Sequence, residues 1–268
     1  AMGRLGCRSP LPAVLAKLYR EHMRCPWALL VAALRTTAAL PLPPALLALN
    51  STEGRRLLAD PTALTSSYEQ SIIHFVSQAD QGSCFRASAT IVLNALGAQG
   101  LQAPVDKPYQ PYAYWTQDTV VSSDCARSNC THFSLCRGAT LGMAASALAC
   151  TDAVEASALH ARDKLRSATD LSALLRRTLS SGEHVIANFV GKPMGIEHGG
   201  HYSPCVAYHP GRDMVLVLDV SRYKYPPWWV SVSTLWAGLD TVDFTAMQRR
   251  GVITVRLSGS PSSGAVSV

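Results

Sequence analysis

The sequence predicts an α+β fold, helical in its first part and built on an antiparallel sheet in its last, within a single domain. Apolar residues recur at helical spacing after residue 84 and again near 140–150 and 170–179. From residue 184 onward, apolar, β-branched and aromatic runs alternate with Gly, Pro and Asp, the pattern of short strands and turns. Hydrophobic residues make up 48% of the 268 and charged ones 16%, which supports a large core and excludes a disordered or repeat protein.

Residues 1–40 read as a leader or N-terminal extension and 41–268 as the folded domain. Lys17, Arg20, His22 and Arg24 precede an apolar run over 26–34, and small residues with Pro41, Pro43 and Pro44 follow, in the order of an export signal. That order implies a periplasmic or secreted protein. Because Arg35 closes the run early, an amphipathic helix of a cytoplasmic protein is the alternative. The run is too short for stable membrane insertion, and Ala1-Met2 leaves the true start of the chain open.

Residues 45–58 predict a short helical entry, and 72–76 a strand or extended run. Over 84–96, Ala87, Ile91, Val92, Ala95 and Leu96 fall at helical spacing, with Gly97 where a left-handed cap would end the helix. Cys84 therefore sits at a helix N-terminus. Residues 100–137, rich in Pro, Tyr, Ser, Asp and Asn, predict a long surface excursion. Helices are expected over 140–150 and over 170–179, the second capped by Asp170 with Gly182 past its end. Strands follow over 184–190, 202–208, 214–220, 228–232 and 252–255, with Pro210-Gly-Arg212 joining the second to the third.

Net charge is +6 and the sequence pI about 9.0. The basic residues are scattered, with no stripe interleaved with aromatics, which argues against nucleic acid as a partner and for small anionic substrates. Nothing in the chain bears on oligomeric state. Of eight cysteines, Cys7 and Cys25 belong to the leader. If Cys84 is reserved for chemistry, Cys125, Cys130, Cys136, Cys150 and Cys205 cannot all pair. Disulfides using Cys125, Cys130 and Cys136, free thiols, or a metal site remain open, although C-x4-C-x5-C is not the C-x2-C spacing of common zinc sites.

A cysteine thiol is a poor nucleophile at its free pKa of about 8.5, and a helix N-terminus together with an imidazolium lowers that value. Cys84 has the first of these locally. His201 and Asp219 flank the 210–212 turn almost symmetrically, so with the turn centred on residue 210 or 211 antiparallel pairing places them opposite one another within one or two positions and on one face. Such an Asp fixes the imidazole tautomer and leaves the other ring nitrogen free to exchange a proton with the thiol. By residue type alone His74, His132, His160, His184, His198 and His209 are equal candidates; geometry selects His201.

The stretch Gln78-Ala-Asp-Gln-Gly-Ser-Cys84-Phe85 resembles the papain-type nucleophile motif, in which an upstream Gln serves as an oxyanion donor. The blocks Phe75-Val-Ser-Gln78, Ala87-Ser88, Val92-Leu-Asn-Ala-Leu96, Gly199-Gly-His-Tyr-Ser-Pro204 and Leu218-Asp-Val-Ser-Arg-Tyr-Lys-Tyr-Pro-Pro227 resemble the phytochelatin synthase family, from about residue 50 to 257. This resemblance implies a papain-like catalytic domain over 41–268, of the short bacterial type. It also implies a γ-glutamylcysteine acyl-enzyme made from glutathione with release of glycine, and a place in metal detoxification. Cys84, His201 and Asp219 stand where the family has its triad, Gln78 where it has its oxyanion donor.

Gly200, Arg222, Tyr223 and Lys224 lie in or beside the matching blocks and are the expected substrate-binding residues, the positive and phenolic groups suiting a γ-glutamyl or glycine carboxylate. A structural role at a strand exit is the alternative for the last three. No cofactor is expected and no metal ligand is assigned. A Cd or Zn ion would enter as an activator or as a thiolate complex with the substrate.

The family usually has Tyr-Cys-Gly-x-Ala-Ser where this chain has Ser83-Cys-Phe-Arg-Ala-Ser88, so Phe85 and Arg86 are expected to crowd the nucleophile. Hydrolysis to γ-glutamylcysteine is expected to exceed transfer. Two other readings are a papain-like peptidase acting on another γ-glutamyl or peptide substrate, and a metal–thiolate binder built around Cys125, Cys130 and Cys136.

Overall fold

The computed structural model describes residues 40–130 and 136–259, so the expected leader lies outside the described residues except for Leu40. Seven antiparallel strands form one sheet in the order β1-β6-β5-β4-β3-β9-β2: β1 Leu46–Ala48, β2 Val154–His160, β3 His184–Phe189, β4 His201–His209, β5 Met214–Val217, β6 Trp228–Ser231 and β9 Gly251–Leu257. A separate ribbon pairs β7 Val242–Asp243 with β8 Gln248–Arg249. The helices are α1 Thr52–Ala59, α2 Ser66–Ile72, α3 Cys84–Gly97, α4 Asp124–Ser128, α5 Leu141–Ala149, α6 Ala168–Ser180 and α7 Val232–Leu239.

Both faces of the sheet are covered, which is why β3 and β4 are buried at every position, polar residues included. On one face α3 and α5 pack Ile91, Leu93 and Leu148 against Ile186, Tyr202 and Ile253. The other face carries α6 and α7, with Leu171, Leu175 and Leu235 against Val185, Phe189 and Trp228. Every residue of α3 from Cys84 to Leu96 is buried, so its polar members need partners inside the protein. Ser88 and Thr90 donate to carbonyls one turn back, and Asn94 exchanges hydrogen bonds with the Trp115 backbone. Arg86 bonds Asp118 and the Gln117 carbonyl. The α3 helix is thus tied to the 100–137 excursion, which buries Val120, Val121 and Ala126 and carries α4 rather than running wholly over the surface.

Disulfides Cys125–Cys150 and Cys130–Cys136 staple this region, the first joining α4 to the end of α5. Cys84 and Cys205 are the free cysteines among the described residues, and both are buried.

Several local expectations are corrected. Residues 45–58 hold β1 and then α1, capped by Ser51, whose hydroxyl accepts the Gly54 N–H. Ile72 closes α2 instead of opening a strand. Gly97 is the last helical residue of α3, and the left-handed position is Gly100, at φ +104°. Ser167, not Asp170, caps α6: its Oγ accepts the Asp170 N–H, while the Asp170 carboxylate accepts the Arg166 N–H. Strand β2 was not expected, because its half-exposed, alanine-rich sequence carries little β signal and only pairing with β9 fixes it. Nor was α7, whose start at Val232 follows β6 without a break except for the capping hydroxyl of Ser231.

Candidate active site

Cys84 opens α3, with Ser83 ahead of it in a tight turn held by the Asp80 carboxylate, which accepts the Gly82 N–H and the Ser83 hydroxyl. The backbone N–H groups of Tyr202, Phe85 and Cys84 favour its thiolate, so the helix start and the first residues of β4 both act on the thiol. Burial nonetheless dominates, pushing the thiol up to about 11 against the pull of those N–H groups. The helix N-terminus therefore does not lower the Cys84 pKa on balance, as the sequence had suggested. Burial likewise lowers His201, with Asp219 opposing it. Both shifts favour an uncharged thiol and imidazole.

His201 and Asp219 are brought together: His201 Nε2 lies 3.0 Å from Asp219 Oδ1, and both side chains are buried. With Nε2 engaged by the carboxylate, Nδ1 is the ring nitrogen left for the thiol. The register that achieves this differs from a plain hairpin. His209 pairs with Met214, which centres the turn beyond residue 211, and a regular ladder from there would set Asp219 on the face opposite His201. One extra residue in β4, Val206, intervenes: Ala207 pairs with Leu216, but Cys205 already pairs with Val217. This bulge returns Asp219, two residues past the end of β5, to the His201 face.

Asp219 is 0% exposed and accepts four hydrogen bonds. Oδ1 takes His201 Nε2 and the Ser221 N–H at 2.9 Å; Oδ2 takes Trp228 Nε1 at 3.1 Å and His198 Nε2 at 2.9 Å. Burial raises its pKa, but hydrogen bonds from His198 and His201 outweigh that and hold the carboxyl far below the usual range. The ring nitrogens of His198 and His201 and a carboxylate oxygen lie within 4.8 Å of one another. The two rings, however, are stacked near-parallel at 3.9 Å and aim at separate oxygens, which suits shared hydrogen bonding better than convergence on one ion. His198 was one of six histidines the sequence could not rank.

Gln78 lies on the loop before α3, with its Oε1 accepting from Ser221 and its Nε2 donating to the Asp80 carbonyl at 2.7 Å and Tyr223 Oη at 3.0 Å. Its two amide hydrogens are thus occupied, and a substrate oxygen would have to displace one acceptor.

The expected substrate-binding residues are partly engaged elsewhere. Arg222 lies over the Phe75 ring at 4.7 Å and bonds the Phe75 carbonyl, and Lys224 Nζ bonds the Glu197 carbonyl at 3.0 Å. Gly200 instead faces Arg250: a Cβ at Gly200 would stand 3.1 Å from Arg250 Nη2. Arg250 pairs with Asp243 at 3.4 Å, and its buried Nε has no partner. The sequence did not single it out among the scattered basic residues.

Phe85 and Arg86 do not crowd the site as freely as expected. Phe85 is fully buried edge-on to Tyr202, and Arg86 is held by Gln117 and Asp118.

A family model described as phytochelatin synthase matches residues 37–252. The chain is 32% identical over 227 residues to "Glutathione gamma-glutamylcysteinyltransferase 1" of Triticum aestivum, covering 83% of this chain and 43% of that protein. It is 32% identical over 228 residues to "Glutathione gamma-glutamylcysteinyltransferase 3" of Lotus japonicus, covering 83% and 45%. With "Glutathione gamma-glutamylcysteinyltransferase 1" of Arabidopsis thaliana it shares 28% over 224 residues, covering 81% and 43%. The chain spans less than half the length of these relatives.

Proposed function

This chain belongs to the phytochelatin synthase family, and from that premise we propose that it cleaves glycine from glutathione through a thioester on Cys84. What carries the proposal is the buried His201–Asp219 pair, 3.0 Å apart, at the start of β4 beside Tyr202, whose backbone N–H favours the Cys84 thiolate. His201 Nδ1 takes the thiol proton as sulfur attacks the cysteinyl carbonyl of glutathione. The resulting oxyanion receives the Cys84 N–H and an amide hydrogen of Gln78 released from Tyr223. The C–N bond then breaks, His201 returns its proton to the glycine amine, and γ-glutamylcysteine remains as a thioester.

Arg250, beside Gly200 with an unpaired Nε, supports a role in taking a substrate carboxylate, a task the sequence assigned to Arg222 and Lys224. Tyr223 acts through Gln78. Water and the amine of a second glutathione compete for the thioester, and without an acceptor held in line water prevails. Hydrolysis exceeds transfer on this account. Four of the described cysteines are paired, so a Cd or Zn ion enters as a thiolate of glutathione rather than on a cysteine cluster of the domain. The same disulfides favour an exported protein in an oxidising compartment.

The test is incubation with glutathione, with and without Cd2+, followed by mass analysis of products. Free glycine with γ-glutamylcysteine in excess of longer oligomers is expected. Absence of glycine release under both conditions would defeat the proposal, and an early excess of oligomers would defeat its hydrolytic part.

A further inference from the structure

We propose that His198 is a positioning residue for this reaction, donating from Nε2 to Asp219 and fixing the plane in which Asp219 receives His201; the inference rests on the catalytic reading above. A carboxylate that receives an imidazole can rotate about its terminal bond and offer either oxygen. In this site rotation is blocked from the Oδ2 side, which His198 Nε2 holds at 2.9 Å and Trp228 Nε1 at 3.1 Å. Oδ1 is left for His201 and the Ser221 N–H.

The His198 ring also lies 3.9 Å from the His201 ring at an interplanar angle of 16°, covering one of its faces, while Phe189 stands edge-on to both. Covered on one face and bordered by Phe189, His201 has little room to flip, so Nδ1 stays the nitrogen available to Cys84.

The segment that carries His198 is built to hold it there. The His198 carbonyl accepts the Gly191 N–H at 2.7 Å, a return possible because a Cβ at Gly191 would stand 2.5 Å from the Ile196 carbonyl oxygen. Tyr225 fixes the other side, its hydroxyl accepting the Glu197 N–H and its ring edge meeting His198 at 5.5 Å. The arrangement requires both histidines to be Nε2–H tautomers, since all four hydrogen bonds to Asp219 need a donor.

The experiment pairs His198→Ala with His198→Gln, whose side-chain amide keeps a donor within reach of Oδ2. Steady-state glycine release from glutathione should show His198→Ala with kcat lowered about tenfold to a hundredfold and KM within about twofold. His198→Gln should recover most of the loss. Alkylation of Cys84 by iodoacetamide, followed across pH, should slow in His198→Ala and return in His198→Gln; this readout needs no glutathione. An unchanged kcat in a folded His198→Ala protein, or a Gln variant as slow as the Ala variant, would overturn the inference. Should His198→Ala fail to fold, nitrogen NMR of the unaltered protein decides it: Nε2–H at both rings is expected, and Nδ1–H at His198 overturns it. Glycine release that survives Cys84→Ala would instead remove the catalytic reading beneath it.

Discussion

Cys84 and His201, the proposed nucleophile and base, come from opposite faces of one sheet, and the two faces are secured in different ways. On the Cys84 side, a wholly buried helix is tied by polar side chains to a long excursion that two disulfides close. On the His201 side, continuous strand pairing and an aromatic surround of Phe189, Trp228 and Tyr225 enclose one carboxylate with four donors. The first arrangement places a reactive atom at the end of a rigid rod; the second fixes the orientation of rings. Rate should therefore depend on single groups on both sides, whereas stability should depend on the staples and on a buried uncharged histidine of the Cys84 side.

The largest effect expected is from Cys84→Ala, which should leave no measurable glycine release and an unaltered circular dichroism spectrum; turnover in that variant breaks the division of roles. Next comes Asp219→Asn. Its amide presents a donor to groups that are all donors, and it removes the charge behind the imidazolium, so kcat should fall by about a thousandfold or more. A wild-type rate would show that the enclosure of Asp219 serves the fold alone.

A third expectation concerns His184, fully buried on the Cys84-bearing face opposite Val255 with Nε2 unpaired, whose pKa burial lowers to about 4. A base with a depressed folded pKa contributes stability that is present above its unfolded value of about 6.5 and lost as pH falls through 4. Urea midpoints should thus drop between about pH 6.5 and 4, by an amount on the order of 3 kcal/mol. His184→Leu should flatten that slope; an identical slope in the variant rules this origin out.

The smallest effects belong to the staples. Removing Cys125–Cys150 by double alanine substitution should cost about 2 to 4 kcal/mol in chemical denaturation, and removing Cys130–Cys136, which closes a shorter loop, should cost less. Neither should lower kcat at 25 °C by more than about twofold, since Cys84 is held by α3 itself. A collapse of kcat in either variant would mean the excursion shapes the site directly.

The same contrast explains what could be read from the sequence. His201 and Asp219 lie 18 residues apart across one hairpin, so strand alternation nearly suffices to pair them. It does so here only through the Val206 bulge, which no residue type announces. Cys84 at a helix start was legible from spacing, but its burial, which reverses the expected pKa shift, depends on β4 arriving from more than a hundred residues away. Arg250 and His198 were equally hidden. The first reaches Gly200 through the β7–β8 ribbon, and the second shares a carboxylate with a residue chosen on other grounds. Strand β2 escaped notice because an edge strand with half its side chains in water has no apolar run to show.

The Val206 bulge also sets which changes of length the domain can absorb. It lies between the His201–Asp219 pair and the hairpin tip, so it separates the phase of the ladder at the site from the phase at the turn. Residues added to or taken from the 210–213 turn leave the pairing of Cys205 with Val217 untouched, and Asp219 keeps its face. Deleting Val206 alone would set the Cys205–Val217 pair directly beside the Ala207–Leu216 pair in one regular ladder, so the site and the tip would both keep their pairing. The candidate site can therefore keep its phase through loss of the bulge residue as well as through a longer or shorter hairpin tip.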